Sequence, residues 1–210
     1  TIQAWNERNQ RLLELFVDLL KTKKCPFTFL DFGAGSGQIS QTFKQVLGDK
    51  ARIYCLEPNP TCKDLYQEYG LLHLPTLNVL TETIDFVYMI EVIEHLEDPI
   101  DSMRQLRQFL SKDGQIFIST PVGKPHERAT NAYDTPSHLH FFTEKSLNLA
   151  LRKAGLTEIN YKFYPELYPL CEPRAYGIVK ANIKKFLKNS ILSKISAKHI
   201  GHLVGTTGHM

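Results

Sequence analysis

The chain has 210 residues, 42% of them hydrophobic and 22% charged, with a formal net charge of +3; this is enough apolar material for the core of one domain and does not require a second. No run of about 18 apolar residues occurs, so no membrane-spanning helix is predicted, and no signal-peptide pattern opens the chain. Cys25, Cys55, Cys62 and Cys171 form no C-x-x-C pair and lie in or beside apolar segments, which suits reduced thiols in a cytoplasmic protein.

Residues 5–21 carry the spacing of an amphipathic entry helix. The apolar run over residues 27–32 then predicts a strand with Asp31 near its carboxyl end. It passes directly into Gly33-Ala34-Gly35-Ser36-Gly37, and a helix is expected over residues 37–47. Glycines at alternate positions let a backbone turn tightly and approach a ligand closely. A dinucleotide fingerprint would place its third glycine one residue later, so this spacing favours a different nucleoside cofactor. A second strand over residues 52–56 ends in Glu57-Pro58-Asn59-Pro60, and an acid in that position accepts hydrogen bonds from ribose hydroxyls.

Further along, the pattern predicts a helix over residues 61–69, a short strand near 77–80, a strand over 85–90 and a helix over 100–110. A Lys112-Asp113-Gly114 turn leads to a strand over 115–119, then a helix over 143–154 ended by Gly155 and a strand over 158–164. Such alternation predicts an α/β fold, a doubly wound and mostly parallel sheet with helices on both faces. Residues 173–210 hold seven Lys and Arg and no acid, against 18 basic and 22 acidic residues in positions 1–172. Within that tail Ile178, Val179, Ile183, Phe186, Leu187, Ile191, Leu192 and Ile195 recur at near-helical spacing between lysines. The expected organisation is a body over residues 1–170 and a basic helical extension over 171–210 packed on the same domain; weak peripheral membrane contact through 178–198, or contact with an acidic partner, is the alternative.

The strand over 85–90 delivers Glu91, Glu94 and His95 to its carboxyl end, the edge at which open α/β sheets bind ligands. These three would share one face if the segment turned helical. His138 and His140 would face one side of an extended segment. Two carboxylates with imidazoles suit a divalent cation, a single histidine of the set suits a general base, and a loop without chemistry would need neither. The polar segment 122–136 offers His126, Arg128, Asn131, Tyr133 and Asp134 as substrate contacts.

The early acid with G-x-G-x-G resembles motif I of class I S-adenosylmethionine methyltransferases. The run Phe86-Val-Tyr-Met-Ile-Glu-Val-Ile-Glu-His-Leu-Glu-Asp-Pro99, with the later Ile116-Phe-Ile-Ser-Thr-Pro121, is similar to the fourth and fifth strands of the small-molecule members. The best match is the group that includes ubiquinone-biosynthesis O-methyltransferases, over roughly residues 10–165. The resemblance implies a Rossmann-like fold, S-adenosylmethionine as cofactor and methyl transfer to an oxygen of a small-molecule acceptor by in-line displacement. Cofactor contacts would come from Asp31, Gly33, Ala34, Gly35, Gly37, Glu57, Pro58, Asn78, Ile90 and Glu91, substrate contacts from His126, Arg128 and Tyr133, and catalysis from His95, His138 or His140. Relatives acting on catechol-type hydroxyls, and small-RNA ribose 2′-O-methyltransferases, use a similar E-x-x-E-H to hold a metal. Here that implies Glu91, Glu94, His95 and His140 around Mg²⁺ or another divalent cation.

Two departures stand out. Residues 71–83 offer no clear acid where many relatives contact the adenine, and no closing antiparallel strand is evident after residue 164. The sheet is therefore expected to lack that strand. An RNA ribose 2′-O-methyltransferase, a nicotinamide-dependent oxidoreductase and a cofactor-binding protein without activity remain as alternatives, although the acidic body argues against a nucleic-acid partner.

Overall fold

The computed structural model describes residue 16 and residues 25–122, 138–163 and 175–180. In chain order these form β1 (Phe27–Phe32), α1 (Gln38–Leu47), β2 (Ala51–Leu56), α2 (Lys63–Glu68), β3 (Leu72–Leu74), β4 (Ile84–Ile90), α3 (Pro99–Gln108), β5 (Leu110–Thr120), α4 (Glu144–Lys153), β6 (Thr157–Phe163) and β7 (Ala175–Lys180). They build a seven-stranded sheet of order β3-β2-β1-β4-β5-β7-β6. Strands β1 to β5 pair in parallel, while β7 runs antiparallel to both β5 and β6.

Side-chain alternation along the central strands divides the core into two layers. On one face Phe27 and Phe29 of β1, Phe86 and Tyr88 of β4 and Phe117 of β5 pack with Phe43 of α1 and Tyr66 of α2. Phe16 lies at the centre of this aromatic layer, with its ring centroid 4.7 Å from that of Phe86 and 5.1 Å from that of Phe117. The expected entry helix lies outside the described residues except for Phe16, which is helical and fully buried. On the other face the aliphatic residues Leu30, Val87, Met89, Ile116 and Ile118 meet Met103 and Leu106 of α3 and Leu147 and Leu151 of α4.

Local chemistry sets the helix starts. Asp98 accepts a hydrogen bond from the Asp101 N–H with Pro99 in the first turn, and Thr143 caps α4 in a reciprocal pair with Ser146.

Three expectations change. The strand expected near 77–80 is a 3₁₀ turn over Leu77–Val79, and the strand comes earlier as β3, paired with residues 54–56 of β2. In that stretch Leu74 and Leu80 are buried whereas Val79 is exposed, so the chain turns between two inward leucines instead of running extended. The closing strand expected to be missing is present: β7 makes six register pairs with β5, from Gln115↔Lys180 to Thr120↔Ala175. Residues 178–180 are accordingly extended rather than helical, because the outer edge of β5 needs a partner for its backbone groups. The rest of the expected basic helix lies outside the described residues. Finally, the strand assignment of β5 begins at Leu110 and passes through the Lys112-Asp113-Gly114 stretch, with a register shift opposite Ile84 and Phe86.

At the amino edge of the sheet, one carboxylate ties three elements together. Asp85 accepts from the Thr28 N–H at 3.0 Å through Oδ2 and from Ser111 Oγ at 2.9 Å through Oδ1. Asp85→Ala leaves the partly buried Thr28 N–H without its acceptor, and is expected to lower unfolding stability by about 1–3 kcal/mol in urea titration. A midpoint equal to wild type would contradict this role.

Candidate active site

In the sheet order, β1 continues to β2 and β3 on one side, after which the chain crosses back to β4 on the other. The crevice between the carboxyl ends of β1 and β4 is therefore the switch point where a ligand fits an open α/β sheet. The glycine segment stands there, with Gly33, Gly35 and Gly37 all at positive φ. A Cβ on Gly37 would lie 2.7 Å from Cε1 of Tyr66, so the ring of α2 demands glycine at this position. A Cβ on Gly35 would meet nothing within 4 Å. The space above Gly35 is thus open while the loop beneath is closely packed. The Gly33 and Ala34 N–H groups both lie within reach of the Leu56 carbonyl, joining the loop to the end of β2.

Glu57, directly after β2, reaches over this loop. Its Oε2 accepts from the Gly35 N–H and its Oε1 from the Asn59 N–H, each at 3.0 Å. Pro58 is exposed in the same turn, and Asn78 is exposed in the 3₁₀ turn after β3. Ile90 ends β4, half-buried against the aromatic layer.

Below the loop, Asp31 is buried in register with Cys55 of β2 and Tyr88 of β4. Ser40 Oγ donates to Asp31 Oδ2 at 2.9 Å. The Tyr88 hydroxyl contacts Ser40 Oγ, so Asp31, Ser40 and Tyr88 form one buried hydrogen-bonded chain. Burial pushes the Asp31 carboxyl from an ordinary 3.8 up to about 7, against the lowering effect of the Ser40 and Tyr88 hydroxyls and with the Glu57 charge adding to the rise. Burial also holds the Tyr88 phenol well above its usual range.

After β4 the chain does not turn helical through the E-x-x-E-H segment. Glu91 has φ 57°, in the left-handed region, and only Ile93–His95 form a 3₁₀ turn. Glu91 and Glu94 are therefore engaged separately rather than on one helical face. Glu91 Oε1 accepts from Ser119 Oγ at 2.6 Å, while Glu94 Oε2 accepts from Thr120 Oγ1 at 2.9 Å. Ser119 and Thr120 are consecutive residues of β5, so their side chains leave opposite faces of the strand.

Glu94 also holds the later histidine segment, since its carbonyl accepts from the N–H groups of Leu139 and His140 at 2.9 and 3.0 Å. This brings His138 to His95, with ring centroids 4.7 Å apart. Glu94, His95 and His138 each present a ligand atom within 4.8 Å of the other two, a geometry able to hold a metal ion. Glu91 and His140 are not in this group. His140 Nε2 instead bonds the Leu96 carbonyl at 2.8 Å, and its ring stacks on Phe142. His126, Arg128 and Tyr133, together with the rest of 123–137, lie outside the described residues.

Residues 4–160 match a family model described as a methyltransferase domain. The chain belongs to this methyltransferase family. The fold of the methyltransferase is that of the class I members. It superposes on the 1,6-didemethyltoxoflavin-N1-methyltransferase of Burkholderia thailandensis, solved with S-adenosylhomocysteine bound, with a TM-score of 0.61 at 18% identity, over 86% of this chain and 79% of that one. A plantazolicin methyltransferase, also solved with S-adenosylhomocysteine, gives a TM-score of 0.64 at 12% identity over 86% and 90% of the two chains. Among curated proteins, the tRNA U34 carboxymethyltransferase of Photobacterium profundum is 26% identical over 124 residues, 57% of this chain; the match spans 34% of that relative's length.

Sequence reasoning selected the glycine segment, Glu57 and the histidines of the methyltransferase, but missed the groups that support them. Ser40 and Tyr66 lie in no motif, while Tyr88, Ser119 and Thr120 fall inside the strand segments that carry the resemblance without being given a role there; only the strand register and helix placement bring them to the site.

The raised carboxyl of Asp31 has a defined effect on stability. The fold favours its protonated form, so its stabilising contribution is complete below pH 3.8 and is lost as pH rises through about 7. The stability difference between the wild-type methyltransferase and Asp31→Asn, followed by thermal unfolding without ligand, should fall over this interval. A difference independent of pH would refute the assignment.

Proposed function

We propose that this methyltransferase takes its methyl group from S-adenosylmethionine and transfers it to an oxygen of a small-molecule acceptor. Charge carries the cofactor reading. The described segments at the carboxyl edge, residues 31–37, 56–62, 74–79, 90–98, 119–122 and 138–142, contain Glu57, Glu91, Glu94, Glu97 and Asp98 besides the buried Asp31, and no Lys or Arg. Such an edge suits a ligand bearing a sulfonium and an ammonium, and repels the pyrophosphate of a nicotinamide dinucleotide. The residues also fit in shape, because the open space above Gly35 adjoins the Glu57 carboxylate.

In this reading Glu57 holds the ribose hydroxyls, the glycine segment with Asp31, Gly33, Ala34 and Gly37 supports the amino-acid portion, and Pro58, Asn78, Ile90 and Glu91 border the nucleoside. Bound S-adenosylmethionine supplies a methyl group already activated by its sulfonium. The protein's task is chiefly alignment, worth up to about 7–11 kcal/mol when the reacting atoms are held in line.

His95 and His138 stand together at the same edge, where a neutral imidazole can take the acceptor's proton. His140 anchors their segment through Leu96. Glu94, His95 and His138 would also hold a divalent cation, Mg²⁺ or a borderline transition ion, whose chemistry would favour the acceptor's alkoxide. Both routes use the same pair of histidines. His126, Arg128 and Tyr133 remain the proposed substrate contacts.

An RNA nucleoside is the second acceptor class, favoured by the name of the tRNA-modifying relative. An edge crowded with carboxylates disfavours a phosphate backbone, which supports the small molecule. No helix among the described residues is long and apolar enough to cross a membrane. The free thiols of Cys25, Cys55 and Cys62 suit a reducing compartment such as the cytoplasm.

Calorimetric titration with S-adenosylhomocysteine tests the cofactor. Micromolar binding that weakens at least about tenfold in Glu57→Ala is expected. Binding of a nicotinamide dinucleotide in its place would overturn the reading. After chelation, Mn²⁺ titration of the protein and of His138→Ala separates the two routes: binding lost in the variant favours the cation, whereas no binding by the wild type leaves the imidazole as base.

A further inference from the structure

Glu57 is held at four points. Its N–H donates to the Leu74 carbonyl at 3.1 Å and its carboxylate oxygens accept from Gly35 and Asn59. Its own carbonyl lies 2.8 Å from Nε2 of His73. A carbonyl can only accept, so Nε2 of His73 carries the proton. His73 belongs to the short edge strand β3, and its ring packs against that of Tyr66 with centroids 5.6 Å apart. The Tyr66 hydroxyl in turn donates to the Gly35 carbonyl.

These contacts close a circuit. His73 holds the Glu57 backbone, the Glu57 side chain holds the Gly35 N–H, Tyr66 holds the Gly35 carbonyl, and the Tyr66 ring rests on His73. Burial keeps the Tyr66 phenol far above its usual range, so it stays a donor. The same ring also fills the space a side chain at Gly37 would need.

We infer that His73 and Tyr66 are positioning residues that preorganise the ribose-binding carboxylate of Glu57 before the cofactor arrives. Each carboxylate oxygen accepts one backbone N–H and retains a second acceptor site, so the oxygens are fixed in place yet remain able to receive a pair of ribose hydroxyls. Without His73, the peptide carrying Glu57 loses its hold at the carbonyl, and ligand binding would have to order it. This inference rests on the cofactor reading above and adds to it two residues that act through Glu57 and Gly35.

The test is titration of the full chain with S-adenosylhomocysteine, with adenosine and 2′,3′-dideoxyadenosine as competing ligands. His73→Leu should weaken S-adenosylhomocysteine about tenfold, Tyr66→Phe should weaken it by about fivefold, and His73→Gln, which restores an N–H donor, should stay within about threefold of wild type. The loss should appear with adenosine and vanish with the dideoxy ligand, which has no diol for Glu57. In a Glu57→Gln background, His73→Leu should add little further loss. Tyr66→Phe keeps the ring and serves as a second reading if the β3 substitution disturbs the strand. Wild-type affinity in both His73→Leu and Tyr66→Phe, or equal losses for the two nucleosides, would overturn the positioning role alone. Failure of wild-type protein to bind S-adenosylhomocysteine would remove the cofactor reading itself.

Discussion

The structure depends on a tight left-handed turn at the end of β1. Between a strand buried on both faces and a helix packed on the aromatic layer, the chain must reverse direction within a few residues. It does so through backbone conformations that side chains rarely adopt. Tyr66 forbids even a methyl group at Gly37, while Gly35 faces open space. The turn is therefore bare at Gly35 and closely packed at Gly33 and Gly37. Its position is set by strand order, because β1 is the strand flanked by β2 on one side and β4 on the other.

The charges at this edge follow two different rules. Asp31 lies under the turn, where burial favours the neutral form and hydroxyls from α1 and β4 replace water as partners. Glu57, Glu91 and Glu94 lie around it and take their hydrogen bonds from backbone N–H groups or from the hydroxyls at the end of β5. A carboxylate held by fixed donors keeps its position without a ligand, and its remaining acceptor sites stay available. The left-handed φ of Glu91 belongs to the same arrangement: it separates Glu91 from Glu94, and only Glu94 joins the two histidines.

Identities of 12 to 18% to structures with the same sheet show how loosely this fold is tied to particular residues. What must be kept is the alternation that buries two layers and the turn at the switch point. Fold and family define the reaction class and leave the acceptor to local chemistry.

From the sequence alone, the reaction class was legible. The apolar strand running into G-x-G-x-G, the acid after the second strand and the alternating helices and strands are local patterns, each encoded in a few adjacent residues. The central strand and helix positions followed for the same reason. Other features depended on residues far apart. The strand at Leu72–Leu74 was displaced in the reading because burial of Leu74 and Leu80 decides it, not propensity. β7 looked helical because Ile178 and Val179 also fit a helical repeat, and only the unpaired edge of β5 selects the extended form. The E-x-x-E-H motif suggested one helical face, but the β5 hydroxyls pull its two acids apart and substitute His138 for Glu91 and His140 beside Glu94 and His95. The amino-acid sequence thus determined which chemistry stands at the sheet edge. Tertiary structure decided which groups meet there, since hydrogen bonds between distant segments have no signature in the local periodicity of the chain.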